Sequence, residues 1–304
     1  MVCIMSGNGL PRRSIILFVL LQAVSDLVQA ALPLCTSSTN ADITSPCKFV
    51  SGIHSYTSLT INTEVFLETT SSSTQHFFNV SQTFNIQSSA VLTLDYNKDS
   101  SNNPGAGVSG NIGSSGGSYG GRAGAAPSTP LSTSQAEAYG SAFVVAQPGS
   151  SGGGSPSTRG KGGGFLKIYA RKVIIDGTVQ ANGERAQQNS NDGGGSGGGV
   201  SIDCFEIEGS GRIQASGGMG SGKGGGGGGG RISMAFQHGS FGGQVEAYGG
   251  KTGNFESKIF LHTACIFPHL KSVFPLCPID FLSVKLKELG KGRLNIWLRR
   301  VNVT

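Results

Sequence analysis

Apolar residues fall at every second position in three stretches of the chain that align with one another without gaps. Leu166-Lys167-Ile168-Tyr169-Ala170 is followed by Gly177-Thr178-Val179-Gln180-Ala181-Asn182-Gly183. Thirty-four residues on come Val200-Ser201-Ile202-Asp203-Cys204 and Gly211-Arg212-Ile213-Gln214-Ala215-Ser216-Gly217. A further 32 on come Ile232-Ser233-Met234-Ala235-Phe236 and Gly243-Gln244-Val245-Glu246-Ala247-Tyr248-Gly249. Period-two alternation predicts strands with one buried face. Each unit therefore reads as a strand, a corner, a glycine, a short strand of the form apolar-x-Ala, and a closing glycine. A weaker copy lies at Phe84-Asn85-Ile86 and Ala90-Val91-Leu92-Thr93-Leu94. Upstream, Ser58-Leu59-Thr60-Ile61-Asn62 alternates in the same way.

A lone strand pair cannot bury its apolar face, and stacked copies can. The pattern predicts an all-β fold, a parallel β-helix (β-solenoid) with long Gly-rich loops; the alternative is an antiparallel β-sandwich. Ala181, Ala215 and Ala247 are expected inward, where space is narrow. Stacking by these shifts sets Lys172 beside Glu206, an outward pair of opposite charge.

Glycine divides the chain. Residues 97–254 hold 45 of the 50 glycines, and residues 259–304 hold two. The boundaries expected are 1–30, a leader; 31–96, β-rich; 97–164, a Gly/Ser-rich insertion; 165–254, the repeats; and 255–304, an atypical basic tail. Runs such as Gly197-Gly198-Gly199 and Gly224 through Gly230 have high backbone entropy and little to bury, which suits flexible loops. Closely approached backbone layers are the other way to use them. After Lys258 the alternation stops, and Ser283–Leu289 reads as a short helix or a strand.

The first thirty residues follow the secretory pattern: Arg12-Arg13, a short apolar run from Ser14 to Leu21, and Val28-Gln29-Ala30, with cleavage expected after Ala30. The apolar run breaks at Gln22 and at Ser25-Asp26, so no membrane span is expected. The formal charge of +6 splits into +1 for residues 1–30, 0 for 31–258 and +5 for 259–304. A neutral body carries no electrostatic pull toward nucleic acid. In an oxidising compartment Cys35 with Cys47 and Cys265 with Cys277 are the simplest local pairs, leaving Cys204 as a buried thiol or an intermolecular partner. Asn79-Val80-Ser81 is a glycosylation sequon; Asn302-Val303-Thr304, at the end of the chain, is discounted.

Candidate chemistry is sparse. Gly105-Ala106-Gly107-Val108-Ser109-Gly110 spells a dinucleotide fingerprint, but it follows Asn102-Asn103-Pro104 rather than a strand. Gly222-Lys223-Gly224 lacks the hydroxyl that a phosphate loop needs at its end. The five histidines (His54, His76, His238, His262, His269) have no metal-ligand spacing. Asp203, Glu206 and Glu208 are weak candidates for a cation, since parity changes near Phe205 and turns all three outward. No catalytic set and no cofactor is expected: Asp176, Asp192 and Asp203 are scattered.

Gly116-Gly117-Ser118-Tyr119-Gly120-Gly121-Arg122, Ala138-Tyr139-Gly140-Ser141 and Asp176 through Gly183, with the glycine runs, resemble secreted glycine-rich β-solenoid proteins over roughly residues 84–254. Among these the chain is most like the skeletal organic matrix proteins of stony corals. The resemblance implies a secreted, non-enzymatic structural component of an extracellular, calcified matrix, with other matrix proteins, polysaccharide or mineral as partners. It supplies no catalytic residues. The alternative is a cell-surface adhesin or carbohydrate-binding protein using Tyr119, Tyr139, Tyr169 and Tyr248, with a polysaccharide-acting enzyme behind it.

Overall fold

The computed structural model describes residues 32–36, 38–69, 75–94, 102–125, 136–141 and 144–252, together with the backbone of three later strands. The N-terminal part forms β1 (Asn40–Ile43), β2 (Cys47–Val50), β3 (Gly52–Tyr56), β4 (Ser58–Ile61), β5 (Glu64–Glu68), β6 (Gln75–Ile86) and β7 (Val91–Thr93). The repeats supply β8 (Phe165–Ile175), β9 (Thr178–Gln180), β10 (Gly199–Glu208), β11 (Arg212–Gln214), β12 (Arg231–Phe236), β13 (His238–Gly239) and β14 (Gln244–Glu246). Beyond them lie β15 (Ala264–Pro268), β16 (Ser283–Leu289) and β17 (Arg293–Arg299). No helix occurs among the described residues.

Two sheets, each parallel throughout, hold most of these strands. The larger has nine strands in the order β1-β4-β6-β8-β10-β12-β15, with β3 also on β6 and β13 on β10. The smaller runs β14-β11-β9-β7-β5-β2. Register follows the sequence shifts: Val200 pairs with Leu166 and Ile232, and Ile213 with Val179 and Val245. Inward parity changes within the long strands. In β8 it passes from Ile168 and Ala170 to Val173 and Ile175, and in β6 a bulge lies between Val80 and Thr83. One continuous core results, with Leu59, Phe84, Leu92, Val179, Ile207 and Ile213 all fully buried. Ala181 and Ala215 are 0 % exposed and Ala247 7 %, as their narrow positions require.

The parallel β-helix with Gly-rich loops, and likewise the antiparallel sandwich, must be corrected. The described strands build two many-stranded parallel sheets, and antiparallel pairing is confined to β16 with β17. The glycine segments are not loops. Beyond Ala181 the chain reaches a turn at 188–190 and comes back over 191–198 into β10, with Gly195 N bonded to Glu184 O and Gly198 N to Ala181 O. The next unit repeats this excursion over 215–230. These legs pack side by side through their backbones.

Their geometry follows from the hydrogen bonds. Along residues 193–198 the N–H groups point in three directions in rotation. Gly193 and Ser196 donate to Gly153 O (3.0 Å) and Ser150 O (2.9 Å). Gly194 and Gly197 donate to Gly225 O and Gly228 O, both at 2.9 Å. Gly195 and Gly198 donate to Glu184 O (2.9 Å) and Ala181 O (2.7 Å). A period of three with no bond inside the leg is the signature of a polyproline-II-type helix, which has about three residues per turn. Each leg thus bonds to three neighbours, and buried backbone groups find partners without a sheet. None of residues 193–198 has positive φ. Glycine is required there by close approach instead. A Cβ at Gly195 would collide with Lys161 O, one at Gly197 with Ala215 O, and one at Gly227 with Gly195 O.

The nine-stranded sheet also outlasts the sequence pattern. β15 pairs with β12 in parallel, Cys265 in register with Ser233, beyond Lys258 where the alternation stops. Backbone pairing does not need the glycine corners that made the repeat visible. Ser283–Leu289 is a strand.

Candidate functional site

Two places carry polar side chains in an organised way: the glycine lattice and the outer face of the large sheet. Within the lattice serine is the side chain that fits, and Ser115, Ser118 and Ser196 are all buried. Ser196 Oγ accepts from Ser150 N at 2.8 Å, Ser115 Oγ from Val108 N at 2.8 Å, and Ser118 Oγ from Ala123 N at 3.0 Å. Tyr119 and Tyr139 pack against each other with ring centroids 4.9 Å apart. Tyr139 Oη donates to Pro148 O at 2.6 Å, and Arg231 Nη2 donates to Tyr139 O at 2.9 Å. Burial pushes the Tyr119 phenol up to about 12 and raises Tyr139 as well. Both stay neutral, and Tyr119 at 1 % exposure is not a stacking platform.

Tyr169 is different. It stands 57 % exposed on β8, in register with Asn79 on one side and Asp203 on the other. It lines two shallow depressions. One is formed with Ser55, Phe77, Asn79, Ser81 and Lys167. The other is formed with Arg171, Asp203, Phe205 and Gln237. Phe205 packs on His238 with centroids 4.7 Å apart, and the Arg171 guanidinium lies 5.9 Å over the Phe205 ring. Tyr248, half-buried near the six-stranded sheet, does not share this face. The four tyrosines therefore form no single surface.

The acidic trio is split. Lys172 Nζ lies 3.2 Å from Glu206 and 2.9 Å from Glu208, while Asp203 lines the second depression. The hydrogen bond with Glu208 is the main reason the Lys172 pKa is raised, and the bond from Lys172 lowers that of Glu208. The ammonium thus stands where a cation would sit. Among the described residues, no three His, Cys, Asp or Glu side chains converge as metal ligands.

Cys35 and Cys47 form a disulfide. Cys204 is a buried free thiol, and burial pushes its pKa up to about 12, so it is held protonated. The Ala30 cleavage point, Cys277 and the pairing proposed for Cys265 lie outside the described residues, as do His262 and His269. No helix of the described residues is long and apolar enough to cross a membrane.

A histidine pair carries no ligand spacing in the sequence; in the fold His76 is buried and His54 half-buried. His54 Nε2 and His76 Nδ1 lie 3.4 Å apart, the His54 ring packs against Phe49 and Phe78, and His76 Nε2 is 3.2 Å from Glu68 O. Burial, with His54 beside it, lowers the His76 pKa to about 3; burial also lowers that of His54. The signal was available, since His76 shares inward parity with Phe78 and Val80.

Comparison of the chain with protein families, curated proteins and solved structures finds no match.

Proposed function

We propose that the protein is a secreted, non-enzymatic structural component of an extracellular organic matrix, of the kind that surrounds a calcified skeleton. The observation that carries this reading is the glycine lattice. Ordering glycine costs more backbone entropy than ordering any other residue. Here that cost is offset by hydrogen bonds in three directions along the glycine runs. The runs 193–195, 197–199 and 224–230 themselves carry no acid, base or nucleophile. What the lattice provides is a stiff body of defined shape. The Cys35–Cys47 disulfide suits an oxidising compartment. The neutral body favours packing with polysaccharide or other matrix proteins over strong electrostatic capture of mineral.

The test is where the native chain resides. Mass spectrometry of the secreted fraction and of purified, bleach-washed matrix is expected to find its peptides in both, beginning at Ala31. Confinement to cell lysate overturns the reading, and so does turnover of polysaccharide by the purified chain.

A further inference from the structure

We propose that the depression between β3, β6 and β8 is the seat of the first sugar of an N-linked glycan on Asn79. The inference rests on the export reading, because the sugar is attached only in the secretory compartment. Phe77, Asn79 and Ser81 alternate on β6, and all three line this depression. Asn79 is exposed, so its amide is free to carry a bulky group outward. Ser81 supplies the hydroxyl that the acceptor sequence needs two residues on.

The walls match the sugar. Tyr169 is the in-register neighbour of Asn79 on β8, one strand spacing away, about 4.8 Å. Its ring is left largely uncovered by the protein. Phe77 stands one position back on the same face, braced edge-on against Phe165 at 5.9 Å. A proximal N-acetylhexosamine presents an apolar C–H face and a methyl group, and either ring offers a partner for them. Ser55, the in-register neighbour on β3, and Lys167 give polar groups at the rim for sugar hydroxyls. Attachment joins the Asn79 amide nitrogen to C1 of the sugar. A polyprenyl-diphosphate-linked oligosaccharide is the donor; the lipid diphosphate leaves and the amide gives up one proton. The exposed aromatic patch is then an internal contact of the mature glycoprotein.

Two preparations test this in a eukaryotic secreting host: the full chain with its own first thirty residues, and residues 31–304 behind a heterologous leader. If only the second is secreted, the export reading fails, and Asn79 is still read in that material. Glycopeptide mass spectrometry is expected to find Asn79 occupied. Trimming to a single N-acetylglucosamine is expected to leave the melting temperature unchanged. Asn79→Gln is expected to lower it by about 2–4 °C. Tyr169→Ala should abolish that difference, whereas Tyr169→Phe should keep it. The N-acetyl methyl proton should resonate upfield of its position in the free glycan. An unmodified Asn79 in the secreted material overturns the proposal, as does a glycan effect of equal size in Tyr169→Ala. Should that variant not fold, a methyl resonance at its free position in the parent chain and in Tyr169→Phe overturns it instead.

Discussion

At Ile213, in the short strand of the second repeat, a fully buried side chain fills space between two sheets. At Gly195, a few residues before β10, a backbone lies against Lys161 O with no room for a side chain. Both positions are buried, yet one is held by what its side chain occupies and the other by having none. A side-chain core can relax around a small change in volume. A lattice built from backbone hydrogen bonds cannot take up a methyl group without parting two legs.

That contrast predicts its largest effect for Gly195→Ala. The new methyl must displace the neighbouring leg and disturb the bonds from Gly195 N to Glu184 O (2.9 Å) and from Gly218 N to Gly195 O (2.7 Å). A loss of about 4 kcal/mol or more is expected in denaturant melts. Gly242→Ala is the control, since a Cβ there meets only Gly209 O, at 3.8 Å; its cost should stay below about 1 kcal/mol. Equal costs for the two would end the lattice account.

The next effect belongs to the sheet half. Replacing Cys35 and Cys47 by Ala opens a loop closed over 12 residues and should cost about 2–3 kcal/mol. Hydrogen exchange should show the loss in β1, β2 and β5 while the glycine legs stay protected.

Acid should act on the same half. Unfolded histidine binds a proton near pH 6.5, while native His76 holds out to about 3, and His54 is shifted the same way. The unfolded chain therefore binds more protons across this window. The stability that neutral His76 contributes is complete above about pH 6.5 and is lost, at up to about 1.4 kcal/mol per pH unit, as the pH drops from there toward 3. Urea melts at pH 7, 6 and 5 measure it, and His76→Phe should flatten the slope.

Ile213→Val tests the contrast with the same single methyl, removed instead of added. A cost of about 1 kcal/mol is expected by the same melts. Lys172→Ala, at a surface pair with Glu206 and Glu208, should leave the midpoint of the same melts almost unchanged. A larger loss would mean the outer charge ladder helps to hold register.

Much of the sheet half was legible in the chain. Shifts of 34 and 32 residues set Leu166, Val200 and Ile232 side by side, because period-two alternation lets a face be buried in one register and not in the next. The same shifts put Lys172 beside Glu206 and turned Ala181 and Ala215 inward. Cys35 and Cys47, twelve apart, were a readable pair. Of the candidate site, Asn79 was legible as a sequon, but Tyr169 was one tyrosine among four. Only β6–β8 pairing, across 90 residues of chain, makes it the neighbour of Asn79.

The glycine half needed the fold. Glycine carries no side chain to mark a face or a partner, so a run of it reads as a mobile linker. Whether such a run stays mobile depends on what the rest of the chain brings alongside. Here, stacked sheets deliver successive legs at matched heights, and the backbone completes the lattice. Alternation is a local record of burial and survives in one dimension. A backbone lattice is recorded nowhere but in the distances between legs, and those exist only after the sheets have formed.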